Sequence, residues 1–137
     1  GTGLLGFASA FGHLEIASYL VKEMKAQVEI VNNLGDTPLL LASCHGHLDV
    51  LKFLVHSGGA NVQTIDNDGT GLLGWASSQG HVEITRYLLT TMKASLETTN
   101  RSGMTPLLLA AWQGHLEVFK YVLHEAGANA QTIVNDG

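Results

Sequence analysis

Apolar residues recur along the chain with the period of short amphipathic helices, most clearly in its second quarter. In residues 47–56 the apolar side chains are spaced three and four positions apart, which predicts a helix with one apolar stripe. The stripe consists of Leu48, Leu51, Leu54 and Val55. Residues 38–44 predict a shorter helix before it. Thr37 is a good N-cap, Pro38 suits the first helical position, and Gly46 can end the helix.

A loop with turn-forming residues follows the second helix. Gly58-Gly59 predicts a left-handed helix stop, and Asp68-Gly69 is typical of tight hairpin turns. The unit is therefore helix, turn, helix and hairpin loop. Helices this short cannot bury their own apolar stripe, so we expect their stability to come from stacking on neighbouring units.

The same unit occurs four times. Glycine recurs every 34 residues, and a Gly-His-apolar-acid motif recurs with it. The motif is found as Gly12-His13-Leu14-Glu15, Gly46-His47-Leu48-Asp49, Gly80-His81-Val82-Glu83 and Gly114-His115-Leu116-Glu117. A longer period is also present, because residues 1–68 and 69–136 are identical at 40 of 68 positions. The chain is predicted to be one domain over residues 1–137, with repeats at 1–34, 35–68, 69–102 and 103–136.

The second and fourth repeats carry a longer signature. Residues 37–42 and 105–110 both read Thr-Pro-Leu-Leu-Leu-Ala and lead into the Gly-His motif, which closely resembles the ankyrin repeat. The resemblance covers the whole chain. It implies an all-α solenoid of helix-turn-helix repeats with projecting hairpin loops. It also implies a non-enzymatic role in protein recognition.

The first and third repeats depart from this signature. At residues 3–6 and 71–74 it becomes Gly-Leu-Leu-Gly, and the larger Phe7 and Trp75 follow. A glycine within a helix costs up to about 1 kcal/mol relative to alanine. We expect the two aromatic rings to compensate by filling the stacked core.

The charge balance argues against a nucleic-acid partner. Seven Lys and Arg are scattered among twelve Asp and Glu, giving a formal net charge of -5. Nucleic-acid binders normally carry a basic face, which this composition does not support. No apolar run reaches the roughly 18 residues of a membrane span, so no membrane partner is expected.

Cysteine use indicates the compartment. The single cysteine, Cys44, cannot form an internal disulfide, which favours an intracellular protein of the cytoplasm or nucleus. The chain starts at Gly1 and not at Met, so a removed signal and a secreted protein stay open. Residues 100–102 have the form of a glycosylation acceptor, which matters only if the protein is secreted.

Histidine is frequent enough to suggest a metal, with seven in the chain. The recurrent ones are His13, His47, His81 and His115. They occupy the same place in successive repeats and should lie roughly 8–10 Å apart, the distance between packed helices. Ligands of one zinc ion must be closer, so no metal or cofactor is predicted, and these histidines are expected to cap the second helices. Cys44 and His45 diverge on a helix, which argues against a nucleophile pair and against an enzyme.

Positions at which the repeats differ indicate the surface that binds another protein. In ankyrin repeats the partner contacts come from the hairpin tips and the end of the first helix, on the concave side. The candidates are Phe11, Leu34, Asp36, His45, Asn67, Asp68, Thr70, Gln79, Arg101, Met104, Trp112 and Gln113, with the smaller Ala10, Cys44, Ser78 and Ser102. Phe11 and Trp112 are typical interface anchors if they face solvent. Alternatively, either ring folds over the end of the array or packs on a neighbouring tip.

The two ends of the array lack the polar outer face of a capping repeat. The apolar residues kept at the ends are Leu5, Phe7, Leu14 and Leu20 in the first repeat, and Leu107, Leu109, Leu116 and Val122 in the fourth. Gly137 has the phase of Gly1, so a further copy could continue the stack in register. The alternative function is therefore a slice of a longer solenoid, or a structural subunit that self-associates end to end into a filament.

Overall fold

Helix pairs follow one another along the chain, as the repeats predicted. The computed structural model describes residues 1–128, which contain eight α-helices. They are α1 (Leu4–Ala10), α2 (Leu14–Lys22), α3 (Pro38–His45), α4 (Leu48–His56), α5 (Leu72–Ser78), α6 (Val82–Thr90), α7 (Pro106–Gln113) and α8 (Leu116–Lys120), with α8 running on as a π-helical turn, Tyr121–Glu125. None of these helices is long and apolar enough to cross a membrane. The end of the fourth predicted repeat, residues 129–136, and Gly137 lie outside the described residues.

The helices form two layers. The first helix of each repeat packs on the first helix of the next, so α1, α3, α5 and α7 make an inner layer. Each second helix packs on the first helix of its own repeat. One continuous apolar cluster joins repeats 1 to 3 and includes the buried Leu39, Leu51 and Leu54. A second cluster around Val118 and Val122 holds repeat 4, so the burial comes from stacking, as expected.

Local capping explains where the inner helices begin. The hydroxyl oxygens of Thr37 and Thr105 accept hydrogen bonds from backbone N–H groups three residues later, at 3.2 and 3.3 Å. Gly46 ends α3 in the left-handed conformation, with a φ of 84°. Gly3 and Gly71 hold the N-cap positions of α1 and α5 and have no side chain to accept such a bond. These two helices have seven residues, one fewer than α3 and α7.

Hairpin turns connect the repeats. In the second loop the Asp66 N–H donates to the Thr70 carbonyl at 3.1 Å, and the Gly69 N–H donates to the Asp66 carbonyl at 3.0 Å. Gly69 has a φ of 78°, which a residue without a Cβ adopts freely. Equivalent bonds close residues 32–36 and 100–104. Only one isolated antiparallel bridge extends this pairing within residues 1–128, so the loops are tight turns without a sheet.

A left-handed residue follows the second helix of every repeat. Of the predicted pair Gly58-Gly59, only Gly59 takes this conformation, with a φ of 68°. The same place is held by Lys25 and Lys93, each with a φ of 56°, in repeats 1 and 3. Such a φ costs a residue with a Cβ roughly 1–2 kcal/mol. The turn is closed locally, since the N–H of the residue after the left-handed one donates to a carbonyl of the preceding helix at 2.9–3.0 Å. These donors are Ala26, Ala60, Ala94 and Ala128.

The prediction that Phe7 and Trp75 fill the core is wrong for Phe7, whereas Trp75 packs partly against the core. Phe7 is exposed and Trp75 is half-buried. The neighbouring glycine makes room for other side chains, since a Cβ on Gly74 would lie 2.9 Å from Cγ2 of Thr70 and 3.4 Å from Cδ1 of Leu109. Repeat 1 has the same arrangement. The glycine therefore makes room for a threonine methyl of its own repeat and for a leucine of the next repeat.

Candidate functional site

The hairpin tips are joined to one another by hydrogen bonds between repeats. The Asn67 N–H donates to the Leu34 carbonyl at 3.0 Å, and its side-chain amide donates to the Asn33 carbonyl at 3.1 Å. One repeat later, the Arg101 N–H donates to the Asp68 carbonyl at 2.9 Å, and its guanidinium donates to the carbonyl of Asn67. Asn67 and Arg101, both predicted binding residues, therefore also hold adjacent tips in one continuous surface.

Each described tip is organised by one side chain that the sequence analysis missed. Asn32, Asp66 and Asn100 occupy the same position in three loops, and Oδ1 of each accepts two backbone N–H bonds within its turn, at 2.9–3.1 Å. Their recurrence every 34 residues, with the known preference of Asn and Asp for such turns, was the signal. The Asn100 amide also donates to the Thr70 hydroxyl at 3.3 Å, so the glycosylation acceptor is engaged within the fold.

Most of the predicted binding residues are accessible. The exposed ones are Phe11, Leu34, His45, Asn67, Asp68, Gln79, Arg101, Trp112 and Gln113, and the half-buried ones are Asp36 and Met104. Thr70 is a correction, because it is only 7% exposed, with its hydroxyl against Asn100 and its methyl against Gly74. Ser78, at the end of α5, is buried as well. Burial removes Thr70 and Ser78 from the accessible candidates.

Two stacked phenylalanine rings lie on the exposed side of α1. The ring centroids of Phe7 and Phe11 are 6.2 Å apart and the planes differ by 4°. The two side chains are 54% and 64% exposed. Sequence reasoning missed Phe7 as a surface residue, although its four-residue spacing from Phe11 places both rings on one helix face.

Trp75 shows which side of the inner helices lies next to the hairpins. Its Nε1–H donates to Oδ2 of Asp66, in the preceding hairpin, at 2.8 Å. Trp75 holds in α5 the place that Phe7 holds in α1, 68 residues earlier. Phe7 and Phe11 therefore lie on the hairpin side of the array. This side, formed by the exposed tip residues and by Phe7, Phe11 and the ends of the inner helices, is called the hairpin face below.

The recurrent histidines do not cap the second helices with their side chains, which corrects the prediction. His47, His81 and His115 stand at N-cap positions but make no capping hydrogen bond. Instead, Nε2–H of His47 donates to the Ala10 carbonyl at 2.9 Å, and Nε2–H of His81 donates to the Cys44 carbonyl at 2.8 Å. These side chains connect one repeat to the repeat before it.

The thiol of Cys44 is hard to ionise, and within residues 1–128 neither it nor the histidines belong to a metal-binding group. Residues 1–128 contain no group of three His, Cys, Asp or Glu side chains that could hold a metal ion. Burial, and then the charges of Asp36 and Asp66, raise the pKa of Cys44 from 9.0 to about 11. A thiol that stays protonated at neutral pH is a poor nucleophile.

Comparison with known families identifies the repeat. The family model of ankyrin repeats in three copies matches residues 1–66 and residues 58–133. The chain belongs to the ankyrin repeat family. A search of curated proteins finds no match. Ankyrin repeats generally act in protein–protein interaction and are generally not enzymes.

The ankyrin repeats of this chain come in two alternating versions. Repeats 2 and 4 keep the Thr-Pro start with its side-chain cap, and place Leu41 and Leu109 at the next inner-helix turn. Repeats 1 and 3 start with glycine and carry Phe7 and Trp75 at that place. The alternation puts a large aromatic ring on the hairpin face of every second repeat.

Proposed function

We propose that this ankyrin array binds another protein through its concave, hairpin face. The observation that carries the proposal is the stacked Phe7–Phe11 pair, exposed on that face. Full burial of a phenylalanine side chain is favourable by about 1.5–3 kcal/mol. Each ring has few rotatable bonds, and the two rings are already stacked. Binding a partner therefore costs little side-chain conformational entropy at this pair.

Polar tip residues extend this surface along the array, away from the phenylalanine pair in repeat 1. Exposed Asn67, Asp68 and Arg101 are held in place by the bonds between hairpins, and His45 and Gln79 extend from the ends of α3 and α5. The surface therefore offers both apolar and polar contacts, as protein interfaces generally do. The fitting partner is a protein segment that offers apolar side chains to Phe7 and Phe11 and hydrogen-bonding groups to the tips.

Trp112 extends the proposed surface to repeat 4. Trp112 lies near the end of α7, after the buried residues of that helix, and its side chain is 71% exposed. The side chain therefore does not fold over the array. A large exposed tryptophan is the residue type most often found at the energetic centre of interfaces. Its role in binding is part of the proposal.

Peptides selected from a displayed library on the immobilised array provide ligands for the test. Phe11→Ala and Trp112→Ala should weaken the selected ligands by about tenfold or more, as loss of an anchor does. Tyr19→Ala is the matched control, because Tyr19 is an exposed aromatic residue of repeat 1 on the second helix. The selected peptides should bind the Tyr19→Ala variant with the same affinity as the wild type.

Thermal unfolding by circular dichroism accompanies the binding measurements. All three variants should keep a cooperative transition, since the replaced side chains are exposed. Wild-type affinity in both Phe11→Ala and Trp112→Ala would contradict the proposal. Loss of the cooperative transition in either variant would show that the residue serves the fold.

A further inference from the structure

A cavity with a volume of about 270 Å³ lies inside the array, between the hairpin that precedes α5 and the hairpin that precedes α7. Three successive repeats line it. Repeat 2 supplies residues 62–65, repeat 3 supplies the start of α5, the end of α6 and the loop after α6, and repeat 4 supplies residues at and before the start of α7. A molecule bound in this inter-repeat cavity would therefore contact three repeats at once.

Two glycines in the wall stand where repeat 2 has side chains. Gly71 and Gly74 both line the cavity and take the places of Thr37 and Leu40. Leu40 is only 1% exposed, so at this place repeat 2 fills its core with a leucine side chain. In repeat 3 two neighbouring side chains approach Gly74 but leave the cavity open, since both are part of its wall.

The deep part of the wall is apolar. It contains Leu72, Leu73, Leu88 and Leu109, each at most 7% exposed. Water in contact with such a wall finds few hydrogen-bonding partners. Its replacement by an apolar ligand is therefore favourable.

Two methionines make the wall adaptable. Met92 and Met104 line the cavity and are half-buried. A methionine side chain is unbranched and flexible, so it can adjust to the shape of a ligand, and its sulfur makes favourable contacts with aromatic rings. The two methionines therefore favour an aromatic ligand.

The wall carries almost no charge. Within residues 1–128 it contains no Asp or Glu, although the chain has twelve of them. Its one charged side chain is that of Lys93, which is exposed. The other exposed wall residues are polar or small, such as Gln63, Thr98 and Thr99, and they mark the opening to solvent. An ionised ligand would lose its hydration in the deep part without gaining a counter-ion there, so the fitting ligand is neutral.

Size then limits the ligand. An apolar cavity of about 150 Å³ binds benzene in another protein. The inter-repeat cavity is larger and can accommodate a second fused ring. We propose that the inter-repeat cavity binds a neutral aromatic molecule of the size of a bicyclic ring. Because the ligand binds the folded array, it also stabilises the stacking of the three repeats that it contacts.

Nuclear magnetic resonance of methionine methyl groups tests the proposal, with indole as the probe. The chain has three methionines, of which Met92 and Met104 line the cavity and Met24 lies in repeat 1, 60% exposed. Indole should shift the methyl signals of Met92 and Met104 in a saturable way, with a dissociation constant of about 1 mM or lower. Nuclear Overhauser effects should connect indole to both methyl groups, and the Met24 signal should not move.

Two controls define the site and the ligand class. Purine has the same bicyclic shape but is rich in ring nitrogens, so it should bind at least tenfold more weakly than indole. Gly71→Leu should weaken indole binding by about tenfold or more, because the new side chain occupies part of the cavity. Its Cβ would lie 3.4 Å from the Thr64 carbonyl oxygen and 3.7 Å from Cγ2 of Ile65, both in the wall. These are ordinary contacts, and the backbone there is extended, so folding is preserved.

Gly3→Leu is the matched variant, since Gly3 is the N-cap of α1 as Gly71 is of α5, and a Cβ there would meet nothing within 4 Å. It should bind indole as the wild type does. Indole should raise the thermal midpoint of the wild type and of Gly3→Leu, but not that of Gly71→Leu. A wild type whose Met92 and Met104 signals do not shift up to the solubility limit of indole overturns the proposal, whatever the variants do. So does an equal shift of Met24, equal binding of purine, or wild-type affinity in folded Gly71→Leu.

Discussion

The glycine and histidine of the Gly-His pairs act between repeats and not within one. Each glycine has a positive φ at the end of the first helix. On the first three, Gly12, Gly46 and Gly80, the histidine ring of the next repeat packs. The bond from His81 to the Cys44 carbonyl spans 37 positions of sequence. The pair recurs because every internal junction needs both residues.

His81→Ala should destabilise the array because the Cys44 carbonyl loses its donor and the ring leaves a gap over Gly46. We expect a loss of about 1–3 kcal/mol in the free energy of unfolding. His13→Ala is the control, since the same residue type is exposed there, and its effect should be within about 0.5 kcal/mol. Urea unfolding at low micromolar concentration measures both, and equal losses would contradict the role of the junction.

Cys44 should react slowly with thiol reagents in the folded protein. Its pKa is raised from 9.0 to about 11 by burial and by the charges of Asp36 and Asp66. At pH 8 the thiolate fraction should be about 100-fold below that of an unperturbed thiol. The alkylation rate should therefore keep rising with pH up to about pH 11. In denaturant the rate at pH 8 should increase, and equal rates in both states would show that the fold does not protect the thiol.

At the scale of elements, the helices α1 and α5 are shorter and less well capped than α3 and α7. Their N-caps are Gly3 and Gly71, and a further glycine, Gly6 or Gly74, stands within each helix. These interior glycines allow two side chains to approach the helix backbone: a threonine of the same repeat, through its methyl group, and a leucine of the next repeat. The glycines lower the helix propensity of α1 and α5, but the same glycines permit the close packing of these side chains.

The coupling between Gly74 and Thr70 can be measured with a double mutant. Gly74→Ala alone should give little gain or a loss, because the new Cβ would lie 2.9 Å from Cγ2 of Thr70. Thr70→Ser removes that methyl and keeps the hydroxyl that accepts from Asn100. In this background Gly74→Ala should stabilise α5 by about 0.5–1 kcal/mol, the usual gain over glycine in a helix. Additive effects in urea unfolding would argue against the contact.

At the scale of the whole molecule, exposed apolar side chains are unevenly distributed. Of the large exposed apolar residues within residues 1–128, most belong to repeat 1, and others such as Trp112 and Leu116 belong to repeat 4. Most of those of repeat 1 lie in three places: on the hairpin face, on α2 and in the loop after α2. They are Phe7, Phe11 and Leu34 on the hairpin face, Ile16 and Tyr19 on α2, and Met24, Ile30 and Val31 in the loop. The proposed binding surface therefore has its largest apolar group in repeat 1.

Chelation should leave the array unchanged. The internal histidines are used between repeats, and residues 1–128 hold no group of side chains suited to a metal ion. Stability that depended on a bound metal would be lost when the metal is removed. Thermal unfolding with and without EDTA should give the same midpoint, whereas a clear fall with EDTA would reveal a metal that supports the fold.

Much of the fold follows from the sequence because it depends on local interactions and on repetition. Thr37, Pro38 and Gly46 bound α3 through contacts within a few residues, and the apolar stripe of residues 47–56 forms α4. The period of 34 residues then implies the stack. The exposed candidates, such as Phe11 and Trp112, follow from the family pattern, and their part in binding stays a prediction.

Tertiary structure alone decided the positions whose neighbours are distant in sequence. Thr70 is buried partly because the Asn100 amide, 30 residues later, lies against it. Trp75 is half-buried and bonded to Asp66 of the preceding hairpin, whereas Phe7, at the same place in repeat 1, is exposed. His81 serves the preceding repeat and not its own helix. Sequence periodicity places a residue on a helix face. Its burial and hydrogen bonds depend on which atoms of the adjacent repeat contact that face in the folded structure.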